Sequence, residues 1–150
     1  MGDELALRNQ VCFALYSASR AVTAVYRPIL EPLGLTYPQY LVLLVLWERD
    51  RTVTVKELGD ELMLDSGTLS PLLKRMVSAG LVTKQRSTAD ERSVLVQLTA
   101  EGRALRERAS GVPAKVAGAT GLAPAQLRTL RTTLREMAGA AQATAAALPQ

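Results

Sequence analysis

The chain has 150 residues but no histidine, and it has a single cysteine, Cys12. Histidine is the commonest general base and the commonest transition-metal ligand in proteins, so its absence argues against a Ser-His-Asp triad and against a zinc site. One cysteine cannot form an internal disulfide, and the polar N-terminus shows no signal peptide. We therefore expect a protein of the reducing cytoplasm with no bound metal and no cofactor.

Long apolar runs are also missing. The longest, Tyr40 to Trp47, is far shorter than the roughly 20 residues of a membrane-spanning helix. Hydrophobic residues nevertheless make up 48% of the chain, enough for one domain core. We expect no association with a membrane.

Positive charge is concentrated in one part of the chain. The net charge is +4, and residues 66–108 carry eight basic side chains against four acidic ones, whereas residues 1–65 are net negative. A basic segment that follows an acidic one suits a nucleic-acid partner.

Apolar periodicity predicts several helices before this basic segment. A long amphipathic helix is predicted from Leu5 to Leu30, ended by the prolines and glycine that follow. Capping boxes at Thr36 and Thr54 predict a second helix to Trp47 and a short third helix through Met63.

The fourth helix has two possible beginnings. Pro71 suits a first helical position with Ser70 as the cap, whereas Asp65 or Ser66 would cap an earlier start. Its end is predicted at Gly80. Two strand-like runs, 81–86 and 93–99, then enclose a polar hairpin loop.

Two further helices are predicted at the end of the chain. One begins after Thr99 and continues to Thr120, and the last follows Pro124. The predicted fold is mainly α with a small β-wing, an α+β winged helix-turn-helix at 35–99. Residues 1–34 and 100–150 are predicted to be dimerisation helices flanking it within a single chain of 1–150.

This order of elements has a mechanical purpose on DNA. A helix fits the major groove, and a basic hairpin beside it can follow phosphates or enter the minor groove. Asp90 is expected to hold an arginine in its fork geometry. The candidate DNA-binding side chains are Thr68, Ser70, Lys74, Arg75, Arg86, Asp90 and Arg92.

Some basic side chains of this segment could simply be exposed to solvent and make no contact with DNA. Lys74 and Arg75 also suit a solvated face that complements the helix dipole. For Arg103, Arg106 and Arg108 the solvated face is the favoured interpretation.

Cys12 lies on a stripe of hydroxyl-bearing side chains. A lone cysteine in an amphipathic helix is ordinarily a core residue. Here Tyr16, Ser19, Thr23 and Tyr26 fall within about 40° of it at roughly 100° per residue. Tyr26 is roughly 21 Å away along the helix, so only an antiparallel second copy of the chain brings it to the sulfur.

Two stretches of sequence resemble a known family. The run LVTKQRSTADERSVLVQLTAEG resembles the wing of MarR-family regulators, with an Asp-x-Arg tip and a Leu-Thr-x-x-Gly exit. The runs CFALYSASRAVTAVYRPILEPLGLTYPQYLVLLVLWE and LDSGTLSPLLKRM resemble the OhrR branch of that family. OhrR proteins repress genes for resistance to organic hydroperoxides.

The resemblance implies a mechanism as well as a fold. It implies a recognition helix that begins near Ser66, which makes Ser66 a candidate DNA contact, and wing arginines that reach the minor groove. It implies a homodimer in which the partner's tyrosines bond the reactive sulfur. The redox-sensing residues that it implies are Cys12, Tyr16, Tyr26 and Tyr37.

The sequence thus predicts a repressor that binds an inverted-repeat operator as a dimer. Organic hydroperoxide would oxidise Cys12, and either a low-molecular-weight thiol or further oxidation would complete the switch, as the resemblance to one-cysteine members of the branch implies. Two alternatives remain: a MarR-type regulator that binds a small phenolic ligand with Cys12 inert, and a cysteine-dependent peroxidase. We expect a regulator rather than an enzyme.

Overall fold

Seven α-helices and three short β-strands form the part of the chain that the computed structural model describes, residues 2–149. Met1 and Gln150, the outermost residues of the predicted dimerisation segments, lie outside the described residues. The chain divides into two compact units, one up to Val112 and one from Pro113.

The first helix, α1 (Val11–Leu30), begins later than predicted. Residues 7–9 form a separate 3-10 turn, and Gln10 is extended with φ −88° and ψ 110°. The Gln10 side-chain amide donates to the carbonyl oxygen of Glu4 at 2.7 Å, which fixes this bend ahead of the helix. Pro28 lies inside the last turns of α1 and does not end the helix there.

Both predicted capping boxes are present. Thr36 caps α2 (Tyr37–Arg49) and Thr54 caps α3 (Val55–Leu62). In the second box the Glu57 carboxylate accepts from the Thr54 N–H at 2.7 Å, and the Thr54 hydroxyl oxygen accepts from the Glu57 N–H at 3.0 Å. Two backbone N–H groups are satisfied at each start, so the sequence defines these helices locally.

The fourth helix, α4 (Ser66–Ser78), takes the earlier of its two possible starts. The Asp65 carboxylate accepts from the Thr68 N–H at 2.7 Å. Pro71 therefore lies inside the helix, where it has no N–H to donate to the preceding turn. The alternative start at Ser70 and Pro71 was wrong because the aspartate cap is available one turn earlier.

The hairpin is part of a three-stranded antiparallel sheet. Strands β2 (Val82–Arg86) and β3 (Val94–Leu98) pair with Val82 opposite Leu98 and Arg86 opposite Val94. A two-residue strand that was not predicted, β1 (Val53–Thr54), pairs with the other edge of β3. The wing is thus tied to the start of α3.

The C-terminal part has three helices where two were predicted. They are α5 (Ala100–Arg108), α6 (Val112–Ala119) and α7 (Pro124–Ala147). The single helix predicted from Thr99 to Thr120 was wrong, because the chain leaves the helical conformation at residues 109–111. Gly111 lies in this interruption and Pro113 follows it, and both residue types weaken a continuous helix.

The core of the first unit lies between α2, α3, α4 and the sheet. Its fully buried side chains include Leu43, Leu46, Leu58, Leu73 and Met76. This packing fixes the position of α4 relative to the hairpin.

No single helix among residues 2–149 is long and apolar enough to cross a membrane. One bent pair, Val11–Leu33 with Tyr37–Arg49, meets the length and composition requirements together, with a bend of 72° at its break.

Candidate DNA-binding and redox site

Helix α4 presents one polar face to solvent. Its opposite face is anchored in the core by Leu69, Leu72, Leu73 and Met76. Backbone and side-chain hydrogen bonds from Thr68 hold the pKa of the Asp65 carboxyl below its usual range. The predicted DNA contacts on this helix are all exposed: Ser66, Thr68, Ser70, Lys74 and Arg75.

The tip of the wing is organised by Asp90. Its carboxylate accepts from the backbone N–H of Arg92 at 3.0 Å and from the hydroxyl of Ser93 at 3.3 Å. Asp90 was expected to hold a guanidinium, but it holds Arg92 through the backbone instead. The side chains of Arg86 and Arg92 are exposed on either side of the tip.

The wing and the start of α4 meet across one groove. Arg92 and Ser66 both line this groove, whose volume is about 540 Å³. The structure therefore brings predicted DNA contacts from α4 and from the wing together.

Lys84 was not predicted as a DNA contact. It lies on β2 and lines a second groove, of about 770 Å³, with Ser70 and Lys74 of α4. Val82, Lys84 and Arg86 alternate along β2, so they share one face of the strand. This alternation places Lys84 on the same strand face as Arg86, and it is the signal in the sequence that could have identified Lys84 as a further candidate DNA contact.

Contacts at the base of the wing explain why the Leu-Thr-x-x-Gly motif has threonine and glycine at these positions. The Thr99 hydroxyl donates to the Gly80 carbonyl at 2.6 Å and accepts from the Gly102 N–H at 3.0 Å. A Cβ atom at Gly102 would lie 2.1 Å from the carbonyl oxygen of Leu81. Glycine is required here because the first turn of α5 packs directly against the backbone before β2.

Cys12 is exposed at the second position of α1. Within the described residues no side chain caps this end of α1, so N–H groups of the first turn point outwards. Tyr16 follows one turn later, with 59% of its surface exposed and the Arg20 guanidinium 5.4 Å from its ring centre.

A tyrosine cluster lies at the opposite end of α1. The ring centres of Tyr26 and Tyr37 are 4.4 Å apart, and those of Tyr26 and Tyr40 are 5.8 Å apart. Burial, together with Tyr37 and Tyr40, raises the pKa of Tyr26 to about 12. Burial also raises the pKa of Tyr37. These phenols therefore stay protonated and can donate hydrogen bonds at neutral pH.

Tyr40 completes the cluster but was not predicted as part of it. It is buried behind Tyr26 and contacts Trp47 edge-on, with ring centres 6.4 Å apart. Its position three residues after Tyr37 on α2 was the available signal.

A groove of about 860 Å³ runs beside the cluster. We call it the α1–α2 groove. It is lined by side chains of α1 and of the segment leading into α2, namely Ser19, Arg20, Thr23, Arg27, Glu31 and Tyr37. Within one chain, the structure places Tyr26 and Tyr37 in contact and leaves Cys12 and Tyr16 in the N-terminal part of α1.

Among residues 2–149, no group of three or more His, Cys, Asp or Glu side chains is placed to hold a metal ion.

The helix order, the wing and the exposed polar face of α4 define a winged-helix DNA-binding protein. Residues 24–108 match the family described as Transcriptional regulator SarA/Rot. The organic hydroperoxide resistance transcriptional regulator of Bacillus subtilis is 49% identical over 132 residues, which are 88% of this chain and 89% of that protein.

Two DNA-bound structures are similar. Reduced AbfR bound to DNA, a protein of Staphylococcus epidermidis, has a TM-score of 0.74 and 33% identity over 89% of this chain and 92% of its own. A mutant of Escherichia coli MarR in complex with operator DNA has a TM-score of 0.74 and 28% identity over 83% of this chain and 90% of its own.

The chain belongs to the MarR family of winged-helix transcriptional regulators, as the wing motif predicted. Within that family it resembles the organic hydroperoxide resistance regulators, as the runs that begin at Cys12 and Leu64 predicted. It is a DNA-binding regulator rather than an enzyme, because its relatives are transcriptional regulators. The peroxidase alternative is therefore set aside.

Proposed function

We propose that this regulator is a cytoplasmic, homodimeric repressor that leaves its operator when an organic hydroperoxide oxidises Cys12. The observation that carries the proposal is the arrangement of α1, with an exposed thiol at one end and a cluster of protonated tyrosines at the other. Two antiparallel copies of α1 would join each thiol to the other chain's tyrosines, and two-fold symmetry would make two such sites.

Both ends of α1 favour an anionic sulfur in that pairing. The outward N–H groups of the first turn carry partial positive charge. Tyr26 and Tyr37 supply phenolic donors, because their raised pKa values keep them protonated. A hydrogen bond donated to a thiolate stabilises the form of cysteine that attacks a peroxide.

The chemistry proceeds in two steps. The thiolate attacks the terminal oxygen of ROOH, the O–O bond breaks, and the leaving alkoxide takes a proton to give ROH and a sulfenic acid on Cys12. A low-molecular-weight thiol then displaces water from the sulfenic acid and forms a mixed disulfide. The bulky product would push the dimer core apart and tilt the recognition helices out of successive major grooves.

On the operator we assign base contacts to α4 and charge contacts to the wing. Ser66, Thr68 and Ser70 lie on the N-terminal half of α4, the part of a recognition helix that reaches base edges. Arg86, Arg92 and Lys84 extend the basic surface along the hairpin. Two copies of this surface would recognise an inverted repeat.

The relatives support the redox role. The Bacillus subtilis relative is named for organic hydroperoxide resistance, and AbfR has been described in reduced, overoxidised and disulfide-linked forms. These properties belong to those proteins, and we extend them to this chain as a proposal.

A second candidate function is regulation by a small phenolic ligand, with Cys12 inert. The α1–α2 groove favours it, because a cavity of about 860 Å³ beside Tyr37 is large enough for such a ligand.

Titration of the Cys12 thiol during operator release separates the two candidates. Loss of one thiol per chain in step with release supports the redox switch. Release by a phenolic ligand with the thiol intact, and no release by an alkyl hydroperoxide, would favour the second candidate.

A further inference from the structure

The groove between the wing and the start of α4 is also lined by α3. We call this groove of about 540 Å³ the wing groove. Ser66 of α4 and Arg92 of the wing line it, together with Lys56 and Asp60 of α3. Lys56 precedes the basic segment 66–108 and was not among the predicted DNA contacts. The structure thus adds a cation from a third element to the two predicted contacts.

A DNA strand crosses this groove when α4 and the wing both bind the duplex, and this step rests on the proposed function. Our assignment places α4 in a major groove, and the family resemblance places the wing arginines at the adjacent minor groove. In B-DNA one sugar-phosphate strand separates a major groove from the minor groove beside it. That strand has to pass between Ser66 and Arg92, so its phosphates come to the wing groove.

The backbone of Lys56 is fixed by the helix cap, whereas its side chain is exposed. Thr54 caps α3 through two hydrogen bonds with Glu57, which define the first turn of the helix. The Lys56 ammonium is 85% exposed and donates to the Asp60 carboxylate, one turn later, at 2.9 Å. That bond raises the pKa of Lys56, so the side chain stays charged. Exposed ion pairs of this spacing add little to stability, so the ammonium can turn from Asp60 to a phosphate.

The two carboxylates of the wing groove are engaged differently. Asp90 accepts from the backbone N–H of Arg92 and the hydroxyl of Ser93, so it belongs to the turn at the wing tip. Asp60 instead holds the ammonium of Lys56. An anion that holds the cation of a phosphate site competes with the phosphate for it. Asp60 therefore opposes DNA binding at this position.

We propose that Lys56 binds the DNA phosphate that crosses the wing groove, and that Asp60 competes with this phosphate for the ammonium. Helix α3 is then a third DNA-contacting element beside α4 and the wing. A dimer makes two such contacts. The Lys56–Asp60 pair keeps the affinity of the repressor below the value that its cations alone would give.

Lys56→Gln and Asp60→Asn should change operator affinity in opposite directions. Lys56→Gln removes two phosphate contacts per dimer, so we expect its Kd to rise about ten- to thirtyfold near 0.15 M salt and its log K against log salt to become shallower by about 1.8. Asp60→Asn frees the ammonium and should lower the Kd about two- to fivefold. Fluorescence anisotropy of a labelled operator duplex at several salt concentrations measures both quantities. Both side chains are exposed, so the fold should be unaffected.

Arg49 and Glu61 supply matched controls. Their ion pair, at 2.7 Å, joins α2 to α3 and lines a different groove. Arg49→Gln and Glu61→Gln make the same charge changes as the two test variants, and each should leave the Kd within about twofold of the wild type.

Two combinations locate the contact. Lys56→Gln with Asp60→Asn should bind like Lys56→Gln alone, because Asp60 acts by holding the ammonium. An operator duplex with one neutral methylphosphonate linkage between the two DNA grooves should bind the wild type more weakly and Lys56→Gln no more weakly than unmodified operator does.

An unchanged Kd and salt slope in dimeric Lys56→Gln protein would overturn the inference. Equal gains from Asp60→Asn and Glu61→Gln, or a gain from Asp60→Asn that persists without Lys56, would also overturn it. These measurements use reduced protein without peroxide. A wild-type protein that binds no operator would count against the proposed function, whereas a protein that binds operator but is insensitive to Lys56→Gln would count against the α3 contact alone.

Discussion

The indole N–H of Trp47 donates a hydrogen bond of 2.9 Å to the carbonyl oxygen of Gly102. This bond joins the buried end of α2 to the first turn of α5. Because Trp47 also contacts Tyr40 of the tyrosine cluster, the wing exit and that cluster share one packed core.

Gly102→Ala should destabilise this junction. The added Cβ would lie 2.1 Å from the Leu81 carbonyl oxygen, so backbone must shift. We expect a loss of about 1–3 kcal/mol in the free energy of unfolding, measured by urea denaturation. Gly139→Ala is the matched control, because nothing lies within 4 Å of its Cβ. It should be neutral or stabilise α7, and equal effects of the two substitutions would contradict the packing described.

Local capping signals in the sequence predicted the starts of α2 and α3 and one of the two starts considered for α4. Thr36, Thr54 and Asp65 cap the helices that follow them because each offers an oxygen to N–H groups three residues away. Gly80 adopts the left-handed conformation expected of a helix end, with φ 75°. These features depend on a few adjacent residues, which is why the sequence is sufficient.

Features that depend on distant contacts were not predicted. Strand β1 is two residues long and exists because Val53 pairs with Val96. Tyr40 belongs to the cluster because α1 packs on α2 and brings Tyr26 against it. The Asp90 carboxylate accepts from the backbone N–H of Arg92 within the same tight turn, and not from a guanidinium. The contact of Cys12 with tyrosines stays a prediction, since it requires a second chain.

Arg92→Ala should weaken operator binding and reduce its dependence on salt. Removing one arginine–phosphate pair lowers the slope of log K against log salt by about 0.9, and a dimer has two such pairs. Fluorescence anisotropy at several salt concentrations measures both quantities. Arg92→Lys, which keeps the charge, should retain the slope. An unchanged affinity and slope in dimeric Arg92→Ala protein would rule out a wing contact.

Lys84→Gln should weaken binding to operator and to unrelated DNA by the same factor. We assign charge contacts with the DNA backbone to the wing, where Lys84 lies, and phosphate contacts carry no sequence information. Lys115→Gln removes the same charge from α6, outside the winged helix, and should leave affinity unchanged. A selective loss for the operator, or equal losses for both variants, would show that Lys84 has another role.

Tyr26→Phe should slow the oxidation of Cys12 by cumene hydroperoxide about tenfold, which corresponds to losing about 1.4 kcal/mol from a hydrogen bond to a charged group. Because the Tyr26 pKa is raised to about 12, the wild-type phenol remains a donor and the ratio of rates should be constant from pH 7 to about 9. Tyr40→Phe, buried behind Tyr26, is the control and should react at the wild-type rate. Stopped-flow measurement of thiol loss gives the three oxidation rates. Equal rates for the wild type, Tyr26→Phe and Tyr40→Phe would exclude Tyr26 as a hydrogen-bond donor to the sulfur.

The central claim concerns Cys12 itself, and Cys12→Ser tests it most directly. The hydroxyl is nearly isosteric with the thiol but is not oxidised by this chemistry, so the variant should bind operator with wild-type affinity. The measurement is anisotropy of labelled operator during titration with alkyl hydroperoxide and then with a small thiol, with intact-protein mass spectrometry at each step. We predict that wild-type protein releases DNA as a sulfenic acid or mixed disulfide forms on Cys12, whereas Cys12→Ser stays bound. Release of both proteins at the same peroxide dose would contradict the account.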